Sequence, residues 1–399
     1  MPQDTQVVIV GAGPVGCVSA LILSWAGISV RILESEPELI KDLRASTFHP
    51  PTLDMLDELD LSAKLVAEGL ITPSIQFRDM DNGVIAEFDH ALIKEETAHP
   101  YRLQCEQFKL TRHSAEMMKG YPDTAISFSS RVTEIDQDDT NVIVTFRTPD
   151  GPQSCTCDYL IGCDGSRSSV RKICNIGFPG FTYPEQFVTA SAIEPIDEIV
   201  PGMGHVVYVA HPTEWGAIIH APEFWRFLFP ISMEVTEEEA FDEDYLQTRL
   251  KRFAPYEGDY TIDHRTIYGV NQRVVENYRQ GRVLLAGDAA HVNNPLGGMG
   301  MNGGIHDGLN VSKKLVSILN DGAGDELLDL YDRQRRPIAN EYVQAQTIRN
   351  KNNLEKKDPA VRKQRQDEMR AVAADPEKAK AFLLQTSMFN GVRRSEAIE

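Results

Sequence analysis

The sequence predicts an α/β fold in three parts: an α/β domain on a parallel sheet, a β-sheet domain inserted into it, and a helical C-terminal segment. Three observations favour this arrangement. A β-branched run meets a glycine-rich turn within the first 16 residues, residues 187–231 change to alternating apolar and polar positions, and a second apolar strand with a glycine-rich segment follows residue 282. The first and last parts of the chain are therefore expected to form one discontinuous domain.

The first element is a βαβ unit of the Rossmann type. Gln6–Val10 is predicted to be a strand, Cys17–Trp25 a helix ending at Gly27, and Ile28–Leu33 a second strand. A strand that enters a helix through a glycine turn aims the free N–H groups of the helix at the turn, which suits a pyrophosphate. The turn and the helix start supply Gly11, Gly13, Pro14, Val15 and Gly16.

An acidic residue directly follows this βαβ unit. Glu34 follows the second predicted strand, where a carboxylate accepts hydrogen bonds from ribose hydroxyls and disfavours a 2′-phosphate. The motif therefore predicts FAD or NAD rather than NADP, and by itself it does not separate the first two.

The net negative charge argues against proteins that bind nucleic acid or anionic membranes. The 399 residues carry 40 Lys and Arg against 59 Asp and Glu, a formal net charge of −19. Binding to nucleic acid or to an anionic membrane depends on clustered basic residues, so neither partner is expected. The C-terminal residues 351–399 differ, with 11 basic and 8 acidic groups at helical spacing, and are predicted to be solvated helices.

Cysteine usage indicates a reduced compartment. Six cysteines are too few and too irregular for a disulfide framework, and Cys155 and Cys157 lack metal-ligand spacing, so no metal site is expected. No basic leader and no apolar run of about 18 residues is evident. We expect a cytoplasmic protein, and a homodimer is left open.

Two further motifs follow buried strands. Asp158–Ile161 leads into Asp164 and Gly165, where Ser166 or Ser168 could instead serve only as a helix cap. Val283–Ala286 then delivers Asp288 at a strand end, where ligands of parallel sheets bind. The glycine-rich run after Pro295 opens a helix whose free N–H groups form a second anion site.

These three motifs, in this order and spacing, closely resemble those of the single-component FAD-dependent aromatic hydroxylases of the para-hydroxybenzoate hydroxylase type, over roughly residues 5–345. The resemblance implies FAD as the bound cofactor. It also implies an FAD-binding domain of residues 1–75, 96–182 and 270–345, a substrate domain of 76–95 and 183–269, and a helical segment of 346–399.

The resemblance assigns roles to residues of this chain. Gly11, Gly13, Gly16 and Glu34 would hold the ADP half of FAD, and Asp164 with Gly165 forms the Asp-Gly motif associated with FAD and NAD(P)H use. The other cofactor residues it implies are Arg44, Ala45 and Ser46 near the pyrophosphate, Gln104 and Asp288 near the ribityl chain, Val132 near adenine, and Pro295, Gly298, Met299, Gly300, Met301 and Asn302 against the isoalloxazine ring.

The implied reaction is hydroxylation of a small phenolic or carboxylated aromatic compound. In the family, NADH or NADPH reduces the flavin, and O2 adds to form a C4a-hydroperoxide that oxygenates the ring. Tyr208, His220 and Arg226, in the predicted β-sheet, are candidate pocket residues beside Pro295, with Arg226 able to pair with a substrate carboxylate. No second GxGxxG unit is evident, so binding of the nicotinamide cofactor is expected to be transient. The sequence does not decide between NADH and NADPH.

Other functions of the same fold are alternatives. A flavin halogenase would carry a Trp-x-Trp-x-Ile-Pro segment, to which Trp225–Pro230 is the nearest approach. An isoprenoid reductase or epoxidase would be expected to carry a membrane-binding C-terminal helix, and none is evident. A binding protein without chemistry is disfavoured by the intact Asp164, Asp288 and glycine-rich segments.

Overall fold

The computed structural model describes residues 5–41, 43 and 45–399. The strands are β1 (Thr5–Val10), β2 (Val30–Leu33), β3 (Thr47–Phe48), β4 (Leu70–Thr72), β5 (Ser74–Asp79), β6 (Gly83–Asp89), β7 (Arg102–Gln104), β8 (Thr124–Ser127), β9 (Arg131–Gln137), β10 (Val142–Thr148), β11 (Gly151–Gly162), β12 (Gly180–Ala192), β13 (Val206–Ala210), β14 (Gly216–Ala221), β15 (Phe224–Ser232), β16 (Ile262–Val274), β17 (Arg279–Gln280), β18 (Val283–Leu285) and β19 (His291–Val292).

The helices follow in the same order along the chain. They are α1 (Pro14–Trp25), α2 (Pro50–Asp57), α3 (Ser62–Glu68), α4 (Gln107–Met118), α5 (Ser169–Ile173), α6 (Ile196–Ile199), α7 (Glu237–Ala240), α8 (Glu243–Phe253), α9 (Met299–Asp321), α10 (Glu326–Ile338), α11 (Ala345–Leu354), α12 (Pro359–Ala373), α13 (Pro376–Thr386) and α14 (Phe389–Glu396). A π-helical stretch, Ala339–Gln344, joins α10 to α11.

The first sheet is mainly parallel and carries the glycine-rich turn. Its strand order is β17-β18-β11-β1-β2-β8, with β10 and β9 added as antiparallel strands beside β11. In the central strand β1, Val7, Val8 and Ile9 have no exposed surface, as expected for a strand covered on both faces. The predicted α/β fold class is confirmed.

The second sheet comes from the middle of the chain. Its order is β19-β16-β12-β15-β14-β13-β5-β6, and its neighbouring strands pair antiparallel except for β13 and β5, which are parallel. The 13-residue strands β12 and β16 pair with each other and cross the predicted domain boundaries at 182/183 and 269/270.

This second sheet has two different faces. One face packs on α7 and α8 through a cluster that contains Val207, Trp225 and Phe227. The other face carries Phe187 and Tyr208 and contacts the C-terminal helices.

Two local features of the fold have simple causes. The strands β5 and β6 are separated at a turn where Asp79 Oδ1 accepts from the N–H groups of Asp81 and Asn82, and Gly83 has φ of +79°. The helix α4 begins only at Gln107, because residues 102–104 pair in the small sheet β3-β7-β4.

Candidate active site

The glycine turn after β1 is shaped by close backbone contacts. Gly11 has φ of +101°, and a Cβ there would lie 2.6 Å from the carbonyl oxygen of Cys163. A Cβ on Gly16 would lie 2.0 Å from the carbonyl oxygen of Gly11. A Cβ on Gly13 would meet nothing within 4 Å, and Gly13 caps α1 without a side-chain hydrogen bond. The fold itself therefore requires Gly11 and Gly16, whereas Gly13 leaves open space at a helix N-terminus.

Glu34 is joined to this turn. Its Oε2 accepts a hydrogen bond of 2.7 Å from the N–H of Ala12, and its Oε1 accepts one of 2.9 Å from Glu36 N–H. The start of β9 lies alongside, since the N–H of Ser130 donates to the Glu34 carbonyl and Val132 is buried two residues further on. Glu34 and Val132 thus lie at the same end of the sheet as the glycine turn.

Asp164 follows β11 at the adjacent strand end. Its Oδ2 accepts hydrogen bonds from the N–H groups of Ser169 and Val170, at 2.6 and 3.1 Å. Its Oδ1 is buried without a hydrogen-bond partner, and burial raises the pKa of the carboxyl group. Ser168 does cap α5, and Gly165 has φ of +76°. Helix capping therefore accounts for one carboxylate oxygen of Asp164 and leaves the other unexplained.

Asp288 lies in a 3₁₀ turn directly after β18, and its side chain is exposed. The buried side chain of Asp307 supports this turn. Its Oδ2 accepts a hydrogen bond of 3.2 Å from the N–H of Gly287 and lies 3.0 Å from His291 Nε2. Arg335 Nε donates to Asp307 Oδ1 at 2.6 Å. His291 therefore belongs to the network that supports the turn.

Sequence reasoning missed Asp307 and Arg335. Both side chains are buried, yet nothing local in the sequence distinguishes them from solvent-facing charges on a helix. One available signal was the position of Asp307 between Gly304 and Gly308, whose missing side chains allow α9 to lie against Val15 of α1.

The helix α9 begins at the second glycine-rich segment. Gly298 has φ of +66° and gives α9 no side-chain cap, so the first-turn N–H groups point toward the Pro295 loop. Asn302 fixes this end: its Nδ2 donates to the carbonyls of Thr47 and Gly298, and its Oδ1 accepts from the N–H of His49. Met299 is buried, whereas Gly300 and Met301 are partly exposed.

The segment before α2 contacts the small sheet β3-β7-β4 and the second sheet. Gln104 Oε1 accepts from Thr47 Oγ1 at 2.9 Å, whereas the buried Gln104 Nε2 has no hydrogen-bond partner. Ser46 Oγ accepts from Arg226 Nη1 at 3.1 Å, and the Ala45 carbonyl accepts from the backbone of α4. Arg44, predicted to reach the pyrophosphate, lies outside the described residues.

Of the three predicted pocket residues, the structure brings two to the same face of the second sheet. Tyr208 and Arg226 are both buried there, and Tyr208 Oη accepts from Arg102 Nη1 at 3.2 Å. His220 lies on the opposite face, where its ring stacks on Trp225 at 4.1 Å. Burial of His220, together with the nearby His205 charge, lowers its pKa to about 4.

These positions fit the ADP half and the flavin of FAD. Gly13 leaves room at a helix N-terminus, and Asp164 Oδ1 and Gln104 Nε2 are buried polar atoms without protein partners. Such atoms are costly unless another group satisfies them. Gly13 and Asp164 follow neighbouring parallel strands of the first sheet, where ligands of such sheets bind, and Gln104 lies in the small sheet β3-β7-β4.

Two further structural findings concern metals and membranes. Within the described residues, two groups bring three possible ligand atoms within 4.8 Å of one another, Asp197 with His205 and His220, and Asp54 with Asp57 and His99. The expected absence of a metal site stays a prediction. In the described part of the chain, no helix is long and apolar enough to cross a membrane.

The fold and this site define the chain as an FAD-dependent aromatic monooxygenase. A family profile described as "FAD binding domain" matches residues 4–346. The chain belongs to that family.

Known relatives agree with this assignment. The chain is 31% identical over 392 residues to the para-nitrophenol 4-monooxygenase of Pseudomonas sp. (strain WBC-3), covering 97% of this chain and 96% of that protein. It is 30% identical to the 6-hydroxy-3-succinoylpyridine 3-monooxygenase of Pseudomonas putida (strain DSM 28022 / S16), covering 89% and 90%. The crystal structure of p-nitrophenol 4-monooxygenase from Pseudomonas putida DLL-E4 superposes with a TM-score of 0.93, at 30% identity and with 98% and 99% coverage.

Proposed function

We propose that this enzyme uses NADH or NADPH and O2 to hydroxylate a small phenolic or carboxylated aromatic compound. One observation carries the proposal: Leu296, in the loop expected to face the flavin, packs into the same buried cluster as Tyr183, Phe187 and Tyr208 of the second sheet. An aromatic, apolar surface is thereby held against the predicted flavin position. Such a surface binds a planar ring and keeps water from the reaction.

FAD would be held by residues that follow neighbouring strands of the first sheet. Gly13 and the first turn of α1 would bind the pyrophosphate, with Glu34 at the adenosine ribose and Asp288 at the ribityl chain. The N-terminus of α9 would stabilise negative charge on the reduced ring system through its free N–H groups. When bound, FAD supplies the redox chemistry that takes two electrons from the nicotinamide and passes them to O2.

Tyr208 and Arg226 are the proposed substrate contacts. Because Arg102 donates to Tyr208 Oη, the Tyr208 O–H remains able to donate to an oxygen of the substrate. Arg226 is buried and lies on the same face, so it would favour a substrate anion. His220 is left out of this set because its side chain packs on the opposite face.

Two of the relatives reported above are named for hydroxylated aromatic substrates, para-nitrophenol and 6-hydroxy-3-succinoylpyridine. The similarity extends over nearly the whole length of both chains, which supports a substrate of similar size and polarity for this enzyme. The nicotinamide would bind transiently, and a cytoplasmic location is part of the proposal.

The test is a spectrum and an oxygen-uptake assay. The purified protein should be yellow, and a panel of phenols and hydroxybenzoates should include compounds that accelerate NADH or NADPH oxidation with hydroxylated product. A Tyr208→Phe variant should retain FAD and lose about 10–100-fold in turnover, as expected for loss of a hydrogen bond to a charged substrate oxygen. If no aromatic compound raises nicotinamide oxidation above the background rate, the proposal is rejected.

A further inference from the structure

Two histidines and an aspartate meet on the face of the second sheet that carries His220. They are Asp197 of α6, His205 directly before β13, and His220 of β14, and each brings one possible ligand atom within 4.8 Å of the others. All three side chains are partly exposed, so an ion can reach them from solvent. The expectation of no metal site rests on the spacing of the cysteines, and these three residues did not enter it.

The backbone holds the two histidines side by side. In the antiparallel pair β13 and β14, Val206 lies opposite Ile219, so His205 and His220 form the next pair. The N–H of His220 donates to the His205 carbonyl at 2.8 Å. Residues paired across strands in this way have neighbouring side chains, and the two ring centroids are 4.9 Å apart. The sheet therefore brings both imidazoles together before any ion binds.

The ring of Trp225 fixes the orientation of both imidazoles. The His220 ring stacks on it with centroids 4.1 Å apart and planes at 9°. The His205 ring meets it edge to face, at 5.8 Å and 80°. Ligands that are already oriented lose little conformational entropy when they bind a partner, so a preformed arrangement of this kind favours affinity.

The aspartate is also held in place, and its distance from His205 is informative. Ile196, the residue before Asp197, packs into the same buried cluster as Trp225, which anchors α6 to this face. Asp197 Oδ2 lies 3.5 Å from His205 Nε2. A charge-assisted hydrogen bond would be about 2.7–2.9 Å long. Two ligand atoms around one tetrahedral zinc ion, each about 2.0–2.2 Å from it, lie about 3.4 Å apart. The observed separation therefore fits two ligands of one ion better than a direct hydrogen bond.

His220 has a ring nitrogen that the protein leaves unsatisfied. Its Nδ1 is buried and has no hydrogen-bond partner within the described part of the chain. A buried polar atom without a partner is costly, and such atoms in native structures call for an explanation such as a bound ion. This observation is independent of the spacing of the three side chains.

The second group of possible ligands differs in this respect. His99 Nε2 lies 2.7 Å from Asp57 Oδ2, and His99 Nδ1 lies 2.8 Å from Tyr101 Oη. Asp54 Oδ1 accepts from Thr97 Oγ1 at 2.8 Å. Hydrogen bonds within the protein already satisfy these atoms, so this group serves as the matched control.

We propose that Asp197, His205 and His220 bind a divalent transition-metal ion of the zinc type, with water as the fourth ligand. Imidazole nitrogens favour zinc and its neighbours over Mg²⁺ and Ca²⁺, which prefer oxygen ligands. The ion would join α6 to β13 and β14 on the opposite face from Tyr208 and Arg226. It would therefore stabilise the sheet without entering the proposed reaction, and this inference does not rest on the proposed function.

The first test measures zinc binding by calorimetry. The FAD-loaded full-length protein, without a histidine tag and dialysed free of metal, should bind one Zn²⁺ per chain, and excess Mg²⁺ should not compete. Asp197→Asn and His205→Gln should each raise the dissociation constant for Zn²⁺ at least about tenfold. The control His99→Gln, from the second group, should change it less than about twofold. The first two residues are partly exposed, so two independent variants probe the site without disturbing the buried core.

The second test identifies the ligand atoms. X-ray absorption at the zinc edge should show two imidazole nitrogens, further oxygen ligands and no sulfur. Zn²⁺ should also raise the melting temperature of the wild-type protein, because an ion that binds only the folded chain stabilises it. The increase should be lost in Asp197→Asn and kept in His99→Gln.

Three results would overturn the site. They are the absence of stoichiometric Zn²⁺ binding, equal dissociation constants in wild type, Asp197→Asn and His205→Gln, and sulfur ligands in the absorption spectrum. Hydroxylation activity is not a readout in these experiments, so their failure would leave the proposed function standing. Conversely, an enzyme that hydroxylates no aromatic compound could still bind Zn²⁺ as described.

Discussion

Arg335 and Asp307 form a buried ion pair, with the guanidinium Nε 2.6 Å from the carboxylate Oδ1. The same carboxylate holds Gly287 N–H and lies beside His291, so one charge supports the turn that presents Asp288. The pair therefore links a helix near the end of the chain to a proposed cofactor contact.

An Asp307→Asn variant should be strongly destabilised. It leaves the Arg335 charge buried without its carboxylate, which costs about 3–5 kcal/mol. Urea denaturation should show this loss in the free energy of unfolding. Asp367→Asn, which breaks the exposed ion pair with Arg370, serves as the control and should change stability by less than about 1 kcal/mol. Equal effects of the two variants would show that burial of the pair is unimportant.

Stability should fall in mild acid because of His306. Burial and then the Arg335 charge lower the pKa of His306 to about 3, against about 6.5 in an unfolded chain. The contribution is fully present above about pH 6.5 and is lost as the pH falls toward about 3, because the unfolded chain then binds a proton that the folded chain excludes.

The variant His306→Gln tests this directly. It should flatten the dependence of unfolding free energy on pH by up to about 1.4 kcal/mol per pH unit between about pH 6.5 and pH 4, relative to wild type. Its amide can keep a hydrogen bond to Thr52 Oγ1, which lies 2.8 Å from His306 Nε2. A slope in His306→Gln equal to that of wild type would contradict this role of His306.

Two glycines of the first turn should respond differently to alanine. Gly11→Ala places a Cβ 2.6 Å from the Cys163 carbonyl at a positive φ, so it should lower the free energy of unfolding by about 1–3 kcal/mol or more. Gly13→Ala meets no protein atom within 4 Å, so stability without cofactor should stay within about 0.5 kcal/mol of wild type.

The Gly13→Ala variant should differ from wild type in its affinity for FAD. Gly13→Ala should weaken FAD binding at least about tenfold if the pyrophosphate approaches this backbone, as measured by flavin fluorescence quenching. Retention of wild-type affinity in Gly13→Ala would place the pyrophosphate elsewhere.

Removing the charge of Glu34 should weaken FAD binding while the turn is kept. In Glu34→Gln the amide oxygen can still accept from Ala12 N–H, but the charge-assisted hydrogen bonds to ribose hydroxyls are lost. We expect the dissociation constant to rise about tenfold, measured by reconstitution of apoprotein. The control is Glu38→Gln, at an exposed residue nearby, which should have the wild-type dissociation constant for FAD. An unchanged dissociation constant in Glu34→Gln would show that Glu34 does not bind the ribose.

The sequence predicts those parts of the site whose residues are close together along the chain. The turn from Gly11 to Gly16 and the acid Glu34 depend on local geometry, and their spacing alone indicates a nucleotide. The long-range contacts are different: Arg102 is two residues from the predicted Gln104, but its partner Tyr208 is 106 residues away. Sequence patterns do not specify which distant side chain a buried charge will meet.

Strand direction sets a second limit. Alternation around Tyr208 and Trp225 predicts a half-buried sheet, and this was sufficient to place a β-rich domain in the middle of the chain. It does not show which face each strand turns toward the cofactor domain. The sequence therefore groups His220 with Arg226, although their side chains lie on opposite faces of the sheet.

Two of the three hydrogen bonds of Asn302 also bear on the order of synthesis. They tie Thr47 of β3 and the following His49 to the start of α9, about 250 residues later in the chain. A ribosome adding about 5–20 residues per second needs some 10–50 s to bridge that interval. The segment from Thr47 to His49 can therefore pair with β7 early in translation, but its contact with α9 waits until most of the chain has been made. The part of the proposed flavin site that α9 supplies is among the last to be completed.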